Sequence, residues 1–104
     1  MKKKIDLEIK DFDVAEYIQT ETDAAEYLAA VAELDDIDLM NQAISDIARA
    51  KGMTEIAKKA GVSREGLYRS FARGGNPEVK TLRKVLGAFG CRLSVAPIRG
   101  AANA

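Results

Sequence analysis

The chemistry this sequence offers is concentrated in the run SREGLYRS, residues 63 to 70. If the run is helical, Leu67 and Phe71 at i and i+4 take the inner face, leaving Arg64, Glu65, Tyr68 and Arg69 outside. Arginine forks on an exposed helical face match the paired acceptors of a guanine edge, or phosphate oxygens, and Ser63 and Glu65 beside them can modulate the choice of base. This is recognition chemistry. Catalysis lacks its parts: the chain has no histidine, one cysteine (Cys91) and no glycine-rich phosphate loop. A nucleophile with its base, a zinc site or a bound cofactor therefore has no evident ligands, and no enzyme is expected.

The elements that must position these side chains are legible around them. Residues 53 to 73 read MTEIAKKAGVSREGLYRSFAR, the grammar of a helix-turn-helix. A short amphipathic helix turns Ile56, Ala57 and Ala60 inward, and Ala57 is small where two helices must cross. Gly61 leaves that helix in a left-handed conformation, Val62 plugs the angle, and Ser63 caps the second helix by accepting a free backbone N–H. An αα-hairpin that binds nothing is the plainer alternative. Against it stands the ordered sequence of small residue, glycine, β-branched residue and cap, followed by a face with two arginines and a tyrosine, which points to the major groove of DNA. Ser70 occupies a position more often aliphatic, and Phe71 is expected to take over its packing.

With 104 residues the chain has material for one domain. Its formal net charge of zero conceals a division: residues 1 to 46 hold 4 Lys/Arg against 13 Asp/Glu, and residues 47 to 104 hold 12 against 3. The basic half suits a polyanion. The acidic half suits a basic partner, or is a solvated face that neutralises the other half in the fold. No signal peptide or membrane-spanning segment is read, so the cytoplasm is the expected compartment and no membrane partner is expected. Cys91 reads as a small core residue.

In chain order, Lys4 to Lys10 alternates as a half-buried strand. Asp13 and Glu16 resemble a capping box before a helical turn through Ile18. Thr22 is expected to cap a helix to about Leu34 with Ala24, Tyr27, Leu28 and Val31 inward. Asp35, Asp36 and Asp38 break it and cap another, with Ile37, Met40, Ile44, Ile47 and Ala48 inward as far as Gly52. After the turn cluster Gly74 to Pro77, a helix from about Glu78 to Phe89 buries Val79, Leu82, Val85, Leu86 and Phe89 and turns Lys80, Arg83 and Lys84 outward. Cys91 to Ala96 alternates as a second strand. The division expected is an acidic extension, residues 1–36, within the same domain as a DNA-binding core, residues 37–104. The two strands are expected to pair with each other against the helices, across a two-fold axis or with a partner, and to help build a homodimer.

The run MTEIAKKAGVSREGLYRSF followed by GNPEVKTLRKVLGAFGCRL resembles the lambda-repressor-like helix-turn-helix superfamily and, within it, the HigA-like addiction-module antidote proteins. FDVAEYI, DAAEYLAAVAELDD and ISDIARAKGMTEIA upstream are similar to that subfamily too, so the resemblance covers about residues 11 to 95. It implies a mainly α, lambda-repressor-like helix-turn-helix bundle, with short N- and C-terminal β-strands added from the alternation above. It also implies a bacterial antitoxin that dimerises, neutralises a RelE/ParE-type toxin by direct binding and represses its own operon. Base-reading positions fall on Ser63, Arg64, Glu65 and Arg69, and backbone-contacting ones on Thr54, Lys58 and Arg73, with Tyr68 assigned beside them. For the toxin the acidic half offers Glu16, Glu21, Asp23 and Glu26 as a charged face and Phe12, Tyr17 and Ile18 as anchors. Two alternatives stand beside this: a helix-turn-helix repressor with no toxin, and a protein-binding module that has lost DNA binding.

Overall fold

In the computed structural model the described residues are 14–98, and they form six helices with no strand among them. They are α1 (Val14–Tyr17), α2 (Glu21–Ala32), α3 (Ile37–Lys51), α4 (Met53–Ala60), α5 (Arg64–Ser70) and α6 (Val79–Ala88). One hydrophobic core runs from Val14 and Ile18 through Tyr27, Ile44, Ile47, Ile56 and Leu67 to Val85 and Phe89. Helix α3 is the central layer: α1, α2 and α4 pack on it, while α4 carries α5 and α6 on its other sides.

The caps explain where the helices begin. Thr20, not Thr22, opens α2: its hydroxyl accepts the Asp23 N–H at 3.0 Å, and the Asp23 carboxylate accepts the Thr20 N–H at 3.0 Å. The spacing T-x-x-D closes this reciprocal box, whereas Thr22 has Ala25 three residues on. A further bond from the Gln19 N–H to Asp23, with the Thr20 bonds behind it, holds the Asp23 carboxyl below its usual range. Asp36 caps α3 by accepting the Leu39 N–H. The chain reaches Asp36 through Asp35, whose φ of 53° is the left-handed conformation that turns α2 into α3.

Other expectations are corrected or fall outside the described residues. Cys91 to Ala96 forms no strand; among the described residues the segment has no ladder partner, and Val95 is 96% exposed. Lys4 to Lys10, the other expected strand, lies outside the described residues, as do Phe12 and Asp13. Val79 and Ile37, expected in the core, are 63% and 69% exposed, each at the first position of its helix.

Candidate nucleic-acid interface

The helix-turn-helix is built as its spacing dictates. Helix α4 buries Met53, Ile56, Ala57 and Ala60 and leaves Thr54, Lys58 and Lys59 exposed. Gly61 closes it at φ 72°, with its own N–H bonded to Lys58 O and the Val62 N–H bonded to Ala57 O, a left-handed cap whose backbone conformation an L side chain adopts only with strain. Ser63 then opens α5, its Oγ accepting the Gly66 N–H at 2.9 Å. Leu67 and Phe71 are both buried, so Phe71 fills the position that Ser70 vacates.

Burial of Leu67 and Phe71 fixes the rotation of α5 and exposes the rest. Ser63, Arg64, Glu65 and Arg69 are all exposed, and Tyr68 is half-buried. The Arg64 guanidinium lies 5.8 Å from the centre of the Tyr68 ring, a cation–π contact across one helical turn that steers the arginine without using its N–H donors. At Gly66 a Cβ would come 3.0 Å from Ser63 Oγ and 3.9 Å from Arg69 Nη2, so Arg69 lies back along the helix, over the turn that Ser63 caps. Lys84 joins this surface from α6: its ammonium sits 3.7 Å from where a Cβ on Gly61 would stand. The spacing of α6 turned Lys84 outward but did not place it at the helix-turn-helix corner; only the packing of α6 on α4 does so.

The loop leaving α5 carries Arg73, exposed like Thr54 and Lys58. It is held from below by α3. The Asn41 side chain, only 3% exposed, donates to the carbonyls of Ala72 (3.3 Å) and Gly75 (3.1 Å), and the Asp38 carboxylate accepts the Gly74 N–H at 2.8 Å. A Cβ at Gly75 would collide with the Ser70 carbonyl and stand 2.8 Å and 2.9 Å from those of Arg69 and Ala72. The sequence gives Asp38 only a part in the break and cap before α3 and does not single out Asn41. The available signal was Asn41 itself, an amide three and seven residues before Ile44 and Ala48 on a stripe that is otherwise small or apolar.

On the acidic side, Glu16, Glu21 and Glu26 are exposed, and Asp23 is committed to the α2 cap. Tyr17 is half-buried, its ring 5.9 Å from that of Tyr27 at an interplanar angle of 59°. Ile18 lies in the core and presents no surface to a partner. Cys91 is half-buried with a thiol pushed up first by burial and then by Glu21, which keeps it protonated and unreactive at neutral pH. No helix among the described residues is long and apolar enough to cross a membrane.

No solved structure matches the chain significantly. A protein of Haemophilus influenzae (strain Rd), described only as uncharacterized, is 43% identical over 92 residues, covering 88% of this chain and 95% of the relative. Residues 8–97 match the family described as "probable addiction module antidote protein". The matched segment takes in all six helices and the surface just described, and the chain belongs to that family of addiction-module antidotes.

Proposed function

We propose that this chain is the antitoxin of a type II toxin–antitoxin module, neutralising a RelE/ParE-type toxin by direct binding and repressing its own operon as a DNA-bound homodimer. The observation that carries the DNA half is the exposed face of α5: Arg64 and Arg69 stand free of the core on a helix whose rotation is fixed by Leu67 and Phe71 and whose start is fixed by the Ser63 cap. Arg64 and Arg69 read base edges, with Ser63 and Glu65 modulating the choice; Thr54, Lys58, Tyr68 and Arg73 hold the backbone. Two such faces one DNA turn apart, about 34 Å, require a two-fold operator. Family membership supports a regulatory, non-catalytic role with a toxin as counterpart. The acidic half, with Glu16, Glu21 and Glu26 exposed, supports a cationic protein as that counterpart.

The test has two arms on one preparation. The chain should shift a duplex from upstream of its own gene in preference to scrambled DNA, and it should rescue growth when co-expressed with the product of the neighbouring gene. Binding without rescue leaves a repressor that has no toxin, and rescue without binding leaves a protein-binding module.

A further inference from the structure

We infer that Asp38 and Asn41 of α3 are positioning residues that hold Arg73 where it can meet the DNA backbone; the inference rests on the DNA-binding reading above. Arg73 is bracketed. The residue before it gives its carbonyl to Asn41, the residue after it gives its N–H to Asp38, and Gly75, two residues on, gives a second carbonyl to Asn41. A surface loop normally leaves such groups to water. Here three of them are held by two side chains one helical turn apart on a helix that belongs to the core, the Ala72 carbonyl also accepting the Gly75 N–H within the loop.

The geometry requires particular residues on both sides. Asn41 is buried, so its amide has few partners besides the loop, and a side chain with no donor there would leave two carbonyls facing it. Gly74 takes a φ of 77°, and Gly75 lies so close to the end of α5 that any Cβ meets carbonyl oxygens. The loop therefore folds back against the last turn of α5, and the Arg73 side chain is what remains exposed. Among the described residues Arg73 makes no ion pair, so its charge is uncommitted. A cation fixed at both flanks and free at its tip loses less entropy on meeting a phosphate than one on a mobile loop.

The test is a double-mutant cycle on the full chain, read by titration of the operator duplex over a range of salt. Arg73→Ala should lower the slope of log K against log salt by about one and weaken binding about eightfold at 0.1 M salt, the share of one phosphate contact, with little change in operator preference. Asn41→Asp and Asp38→Ala should each reproduce part of that loss, and neither should add to it in the Arg73→Ala background. Asp38→Asn, which keeps an acceptor for the Gly74 N–H, should restore most of it. Hydrogen exchange supplies a reading without DNA: the Gly74 amide should be protected in the parent chain and in Asp38→Asn, and exposed in Asp38→Ala. Losses that add to that of Arg73→Ala, or an unprotected Gly74 in the parent, overturn the inference while leaving the DNA-binding reading intact. Failure of the parent chain to bind its upstream DNA at any salt overturns both. Should Asn41→Asp fail to fold, Asp38→Ala, which leaves every core side chain in place, carries the cycle alone.

Discussion

At the scale of single residues, and under the proposed function, the arginines of α5 and α6 should do two kinds of work. Arg64→Ala should reduce preference for the operator over scrambled DNA by about 1–3 kcal/mol, measured by competition at fixed salt, because a bidentate base contact discriminates by that amount. Arg83→Ala on α6 should weaken operator and scrambled DNA alike. The cation–π contact adds a finer expectation: Tyr68→Phe keeps the ring under Arg64 and should retain operator preference, whereas Tyr68→Leu should lose part of it. Tyr27 marks a different limit. Its phenol lies in the core, and burial, then the charge of Asp46, pushes its pKa up to about 12. An acid whose folded pKa is raised gives up its proton more easily once unfolded. Its contribution is therefore whole below about pH 10, where a free phenol begins to ionise, and is lost as pH rises toward 12. Denaturant melts across that window should show a falling stability, and Tyr27→Phe should lessen the slope.

Helices show what a sequence can and cannot announce. The corner at Gly61 to Ser63 was legible because each of its residues is the usual answer to a local backbone demand, and local demands are written locally. The cap of α2 was equally local. Two threonines stood two residues apart, and only the partner three positions on distinguishes Thr20 from Thr22. Thr20→Ala should cost about 1 kcal/mol and lower Tm by about 4–8 °C, measured by thermal melts, and Thr22→Ala much less. The Cys91 to Ala96 alternation misled for the opposite reason. Period two describes a strand only when another strand supplies the ladder, and among the described residues none does. The grip of Asp38 and Asn41 on the loop links residues more than thirty positions apart, a distance over which no spacing rule reaches. The outward face of α5 was readable because it is what remains after Leu67 and Phe71 are assigned to the core. The place of Lys84 was not, because it depends on how α6 packs on α4.

At the scale of the whole molecule, folding leaves charge of both signs outside: Glu16, Glu21 and Glu26 are exposed on α1 and α2, and Lys58, Arg64, Arg69, Arg73 and Lys84 on or beside α4, α5 and α6. Under the proposed function, the triple change Glu16→Gln, Glu21→Gln and Glu26→Gln should slow association with the cationic toxin about tenfold or more at low salt, in stopped-flow mixing, and leave operator affinity unchanged. At the other end the last fully buried side chain among the described residues is Phe89, and the residues from Arg92 to Ile98 are all exposed and in no helix or sheet. Peptidases grip their substrates as extended chain, so this segment offers a handle that needs no opening of the folded body. Limited proteolysis should cut between residues 92 and 98 first and leave a fragment that still melts cooperatively. The survival time of the intact chain in a cell would then follow the abundance of peptidase and the shielding of this segment, and a mutation that raised the melting temperature by several degrees would not lengthen it.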